Sequence, residues 1–142
     1  MSVTTFVVTQ VAIDFESGYH LFRGDWPIHR EAHSLLISGL LGLATGALIA
    51  SVARRYTLPA HPMLRSEVAW AAALYGGLLG GLSHPLLDAV MHPDLRPFWP
   101  VSAANPFLDA TSLVALHLAC VVSGLLGAGI LMVRYRSVAT PA

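Results

Sequence analysis

The chain has 142 residues, of which 55% are hydrophobic and 11% are charged, whereas a soluble domain carries about 25% charged residues. Eight arginines balance eight acidic residues, and there is no lysine. This composition predicts a membrane protein, and the zero net charge without a basic run argues against a nucleic-acid partner. The single cysteine, Cys120, excludes an intramolecular disulfide and a cysteine-based zinc site.

The N-terminal 13 residues are mostly apolar, but they are too short to cross a bilayer. They also have no basic segment and no small-residue cleavage site, so they do not have the pattern of a signal peptide. Two carboxylates follow at alternate positions, Asp14 and Glu16. These are the first charged side chains of the chain.

The first predicted transmembrane helix covers residues 34–53, which contain no charged residue and are closed by Arg54 and Arg55. Twenty residues at about 1.5 Å each span a hydrocarbon core of about 30 Å. His29 and His33 precede this segment with a spacing of four residues. In a helix, that spacing places both side chains on one face.

The second predicted transmembrane helix covers residues 68–90 and is interrupted near its end by His84, Pro85 and Asp88. Ionisable side chains in an apolar span are costly, so they are rare and usually functional. His84, Asp88 and His92 follow at intervals of four residues and would share one helical face. Because Pro93 follows His92, we expect the helix to end before His92 is aligned with the other two.

The third predicted transmembrane helix covers residues 111–133 and is closed by Arg134 and Arg136. We interpret its His117 as a hydrogen-bonded packing residue. All three spans are rich in glycine, and spacings such as Gly42-xxx-Gly46 and Gly77-xxx-Gly81 predict close helix contacts. The expected fold is a single all-α domain over residues 1–142, a tight bundle of three transmembrane helices in the lipid bilayer. A second copy of the chain could complete this bundle in a homo-oligomer.

The arginines predict an orientation for this bundle. An odd number of spans puts Arg54, Arg55 and Arg65 on the same membrane face as the C-terminal tail, and leaves Arg23, Arg30 and Arg96 opposite. The arginine-rich face is expected to lie inside. Both histidine pairs would then meet at the outer face.

Two histidine-containing pairs at one membrane face favour a divalent metal site. Histidine nitrogens and carboxylate oxygens suit zinc best, with manganese or another divalent ion as alternatives. Each pair taken alone is better explained as a polar helix end without metal. Two further features stay open: Arg30 is either a phosphate ligand or an interfacial anchor, and the aromatic loop around Phe98, Trp99 and Phe107 is either a substrate lid or an interface belt.

Four segments in this order resemble the YdjM-like family of membrane-bound proteins that are classed as metal-dependent hydrolases. They are Asp14-Phe15-Glu16, His29-Arg30-Glu31-Ala32-His33-Ser34, Ser83-His84-Pro85-Leu86-Leu87-Asp88 and Phe98-Trp99-Pro100-Val101-Ser102. The resemblance implies metal ligands at Asp14, His29, His33, His84 and Asp88, with Glu16 next, and a location in the bacterial inner membrane. It also implies a distant similarity to zinc-dependent phospholipase C and P1-type nucleases. The family usually has a further helix before the first segment. This chain reaches Asp14 after only 13 residues, so either its start is misassigned or truncated, or this member lacks part of the site.

The leading hypothesis is therefore a metal-dependent hydrolase that acts on a phosphoester or similar bond of a lipid-like substrate. Asp14 or Glu16, where it is not a ligand, would serve as the general base. The chain has neither the G-x-S-x-G motif of serine hydrolases nor a P-loop. The alternative is a non-enzymatic membrane protein whose metal- or proton-binding cluster is structural or regulatory.

Overall fold

All regular secondary structure in the described residues is helical. The computed structural model describes residues 1–56 and 62–139, so part of the loop used in the orientation argument and the last three residues lie outside the described residues. The helices are α1 (Val3–Arg23), α2 (Leu35–Arg55), α3 (Pro62–Glu67), α4 (Trp70–Asp88) and α5 (Leu113–Ala139), with a 3₁₀ turn at Glu31–His33. For this part of the chain, the all-α prediction is confirmed.

Helices α2 and α4 pack against each other through glycine. A Cβ atom added at Gly42 would overlap the carbonyl oxygen of Gly77, and one added at Gly77 would overlap that of Gly42. The same close approach joins Gly81 to Ser38 and Gly46 to Ala73, so the two helices run antiparallel. The close contacts predicted from the glycine spacings are confirmed for this pair.

Helix α1 runs parallel to α4 along its other side. The Ser2 side chain caps α1 by accepting a hydrogen bond from the Thr5 N–H, and the Ser2 N–H donates to the Ala72 carbonyl at 2.8 Å. Further along, Gly80 lies against Phe6. Helix α1 therefore begins well before Asp14, and its direction carries Asp14 towards the C-terminal end of α4.

Within residues 1–56 and 62–139, two helices, not the predicted three, are long and apolar enough to cross a membrane. They are Leu35–Arg55, with a mean hydropathy of 2.1, and Leu113–Ser137, with 2.2. The predicted span at residues 68–90 forms helix α4 but falls short of this test, because its four glycines and its polar end at His84 and Asp88 lower its mean hydropathy. Helix α4 is instead covered by α1 and α2.

Helix α5 lies outside the tight part of the bundle. Only 6% of its apolar segment is buried, and a Cβ added at Gly124, Gly127 or Gly129 would meet no atom within 4 Å. The prediction that the third span joins the tight bundle is therefore wrong for the described chain. The close-packed helices are α1, α2 and α4.

The segment between α4 and α5 folds over the end of this bundle. Asn105 donates hydrogen bonds from its side-chain nitrogen to the carbonyls of Ala89 at 2.8 Å and His92 at 3.2 Å. The Leu35 N–H donates to the Pro97 carbonyl at 2.9 Å. These bonds hold residues 89–105 beside the start of α2, where His33 lies.

Candidate metal centre

Asp14, His33, His84 and Asp88 converge at one end of the bundle, and we call them the four-ligand group. Each offers one nitrogen or oxygen atom, and these atoms all lie within 4.8 Å of one another. Helix α1 supplies Asp14, the 3₁₀ turn supplies His33, and the last turns of α4 supply His84 and Asp88. All four were predicted as ligands from the sequence, and the structure brings them together.

Two carboxylates face two imidazoles within this group. His84 Nε2 lies 3.1 Å from Asp14 Oδ1 and 3.2 Å from Asp88 Oδ2. His33 Nε2 lies 3.7 Å and 3.8 Å from the same two oxygens. Nitrogen and carboxylate oxygen donors in this ratio match the ligands that zinc binds in proteins.

His33 is completely buried, yet it has no short hydrogen bond. Its side chain is 0% exposed, and its nearest polar contact is the Ser17 hydroxyl at 3.4 Å from Nε2, beyond the usual range of about 2.7–3.2 Å. Burial, and then the neighbouring His29, lower the pKa of His33 to about 3. The ring is therefore neutral at physiological pH and can offer a lone pair, as a metal ligand must.

Gln10 fixes the orientation of the His84 ring. His84 Nδ1 lies 2.6 Å from Gln10 Oε1, and the Gln10 side-chain nitrogen lies 3.4 Å from the Ser83 hydroxyl oxygen. The Gln10 carbonyl oxygen accepts from Nδ1–H, and Nε2 is then the ring atom that faces Asp14 and Asp88. Hydrogen-bonded partners of this kind orient metal-binding histidines. Sequence reasoning missed Gln10, although on a helix it shares a face with Asp14 four residues later.

His29, His92 and Asp94 form a second convergent set, the three-ligand group, whose ligand atoms also lie within 4.8 Å of one another. His29 Nδ1 is 3.1 Å from Asp94 Oδ1, and the His29 and His92 rings are 4.0 Å apart between centroids. The His29 ring is also 4.8 Å from that of His33. The two groups are therefore neighbours.

Asp94 holds the three-ligand group in place. Its Oδ2 atom accepts hydrogen bonds from the backbone N–H groups of Ile28 at 2.9 Å and His29 at 3.0 Å. Burial acts to raise the pKa of Asp94, but these bonds and the His29 side chain outweigh it and lower that pKa. Sequence reasoning left Asp94 out of the predicted ligands and expected His92 to be misaligned, because neither contact follows from a helical period.

Glu16 supports the segment that carries His33. Its Oε2 atom accepts hydrogen bonds from the N–H groups of Arg30 at 3.2 Å and Ala32 at 3.0 Å and lies 3.6 Å from His33 Nδ1. Burial raises the pKa of Glu16 despite these backbone bonds. These contacts are those of a positioning residue, and the predicted role of Glu16 as a general base stays a prediction.

A family model described as YdjM inner membrane protein matches residues 6–140 of the chain. The chain belongs to the YdjM inner membrane protein family. No curated protein and no solved structure gives a significant match. Both ligand groups of this YdjM family member and Gln10 lie inside the matched region, and its two apolar helices agree with the inner-membrane description. That the ligand groups face outwards stays a prediction.

Proposed function

We propose that this YdjM family member is a membrane-bound, metal-dependent hydrolase that cleaves a phosphoester or similar bond of a lipid-like substrate. The observation that carries the proposal is the four-ligand group, in which a buried, neutral histidine without a short hydrogen bond faces two carboxylates and a second histidine.

The donor atoms of both groups fit a divalent ion. Asp14, His33, His84 and Asp88 would hold one ion, and His29, His92 and Asp94 would hold a second. Zinc suits these ligands best, and manganese is the alternative. When bound, such an ion lowers the pKa of a coordinated water and polarises a phosphoryl oxygen.

The chain's own residues supply the remaining requirements for hydrolysis. The side chain of Asp14 is 58% exposed, so it is the carboxylate of its group that a water molecule reaches most easily, and where it does not bind the ion it can accept a proton there. Gln10 keeps His84 in one tautomer, and Asp94 orients His29. Glu16 holds the backbone that precedes His33. The three-ligand group leaves a fourth position for water, and an open position favours catalysis over a purely structural metal site, which is normally closed.

The position of the site relative to the bilayer favours a lipid-like substrate. His33 lies two residues before Leu35, where the first candidate membrane span begins. A site at the end of a span lies close to the boundary between hydrocarbon and headgroups. Phosphoester bonds of membrane lipids lie at that depth.

The test is hydrolysis by detergent-purified protein that has been depleted of metal with a chelator and reloaded with zinc or manganese. We expect turnover of bis-p-nitrophenyl phosphate or of a short-chain phospholipid only after reloading. His117→Ala is the control, because His117 lies on α5 beside the Leu113 carbonyl and outside both ligand groups, and it should behave as the parent. Metal bound without turnover of either probe would indicate the structural alternative.

A further inference from the structure

A small cavity adjoins the three-ligand group. It has a volume of about 90 Å³ and is lined by Pro27, His29, Arg30, Glu31, Arg96 and Trp99. His29 belongs both to the cavity wall and to the three-ligand group. A molecule in the cavity would therefore lie directly beside the candidate metal centre.

Two arginines in this cavity wall lack a carboxylate partner. Arg30 donates from Nε to the Pro27 carbonyl at 3.0 Å, which fixes the side chain without neutralising it. In the described part of the chain, neither Arg30 nor Arg96 forms a salt bridge. Glu31 supplies the only carboxylate of the lining, so positive charge exceeds negative charge by one.

Arginine pairs of this kind suit a phosphate group. The guanidinium is planar, always charged, and matches phosphate oxygens with two parallel hydrogen bonds. Two guanidiniums beside one small cavity repel each other unless an anion lies between them. Trp99 adds a flat apolar wall that could contact the organic part of an ester.

We propose that the cavity binds the phosphate group of the substrate, and that Arg30 and Arg96 are its ligands. This inference rests on the proposed hydrolase function and gives the substrate its chemical class, a phosphate mono- or diester. Of the two interpretations of Arg30 left open by the sequence, it selects the phosphate ligand. The phosphate could belong to a lipid headgroup or to a soluble compound.

Calorimetric titration of the purified full chain tests this proposal, with inorganic phosphate and dihexanoyl phosphatidic acid as separate probes at constant ionic strength. We expect Arg96→Gln and Arg30→Gln each to weaken binding by about ten-fold, as expected for a lost charge-assisted hydrogen bond. Arg96→Gln is the cleaner variant, because Arg96 is exposed and, among the described residues, no hydrogen bond or ion pair of its side chain supports the loop. Glu31→Gln should strengthen binding.

Arg55→Gln is the matched control, since it makes the same charge change at the far end of α2, where Arg55 is exposed. Its affinities should equal those of the parent. Weakened binding of both probes indicates recognition of phosphate itself, and weakened binding of phosphatidic acid alone indicates a lipid headgroup. Metal content is measured for each variant, so that loss of an ion is not mistaken for loss of an arginine.

Three results would overturn the phosphate site: no binding of either probe by the parent, unchanged affinity in both cavity variants, or a loss matched by Arg55→Gln or by loss of metal. Hydrolysis with unchanged phosphate affinity in the arginine variants would refute this inference and leave the proposed function intact. Arginine-dependent phosphate binding without hydrolysis under any metal would support the phosphate site and refute the proposed hydrolase function.

Discussion

Asp88→Asn is expected to lower turnover by more than about 100-fold. This exceeds the loss of about 10–100-fold that is typical when a residue that only hydrogen-bonds to a metal ligand is replaced. Asp88 Oδ2 lies 3.2 Å from His84 Nε2 and 3.8 Å from His33 Nε2, at the centre of the four-ligand group. The amide keeps the volume of the side chain but loses the charge that offsets a divalent cation. In saturating zinc, we also expect the variant to unfold at a lower temperature than the parent, since it gains less from bound metal.

A different pattern is expected if Asp88 has no metal role. The contact of Asp88 with His84 at 3.2 Å would then be lost equally with and without metal, so the change in melting temperature would be the same in both conditions. Asp109→Asn is the control, because it makes the same chemical change at an exposed loop residue whose positive φ of 59° asparagine tolerates. If Asp88→Asn melts higher than the parent in saturating zinc or manganese and retains hydrolysis, the metal-enzyme account is wrong.

Gly42→Ala is expected to cost about 3 kcal/mol or more of folding stability, at or above the upper end of ordinary overpacking. The added methyl group would overlap the backbone carbonyl of Gly77, and a backbone atom cannot move aside as a flexible side chain can. Helices α2 and α4 would have to separate, which would also pull His33 away from His84 and Asp88. Thermal unfolding in detergent and zinc content measure the two consequences.

Gly124→Ala makes the same substitution on α5, where nothing lies within 4 Å of the new Cβ. Its stability should be unchanged or slightly higher, since alanine favours a helix over glycine by up to about 1 kcal/mol. Equal melting temperatures for Gly42→Ala and the parent would show that α2 and α4 do not pack through these glycines.

The helices were predictable where one local signal dominates. The span predicted at residues 34–53 corresponds to Leu35–Arg55, because an uninterrupted apolar stretch closed by two arginines is unambiguous. The helix predicted at residues 68–90 exists as Trp70–Asp88. A segment with few charged residues can form a helix without being apolar enough to span a membrane. The glycines of α4 allow close packing against its neighbours, but each contributes little hydropathy. They therefore lower the mean hydropathy of the segment.

The candidate site was predictable where its residues follow a helical period. The spacing of His84 and Asp88 pointed to one face of α4, and the topology argument brought His33 to the same end of the bundle. His29 lies in the three-ligand group because an irregular segment, not a helix, joins it to His33. The positions of Asp94 and His92 are set by the loop after α4, which Asn105 holds in place by hydrogen bonds to the carbonyls of Ala89 and His92. No local pattern in the sequence predicts those bonds.

Metal analysis of the detergent-purified protein beside a His84→Ala/Asp88→Ala double variant tests the central claim most directly. Both proteins are incubated with zinc and, separately, with manganese, freed of unbound ion, and analysed by mass spectrometry for metal per chain. We expect about one or two ions per chain in the parent, according to whether one or both groups are loaded, and about one fewer in the double variant. No bound metal in the parent, or the same content in both proteins, would contradict the account.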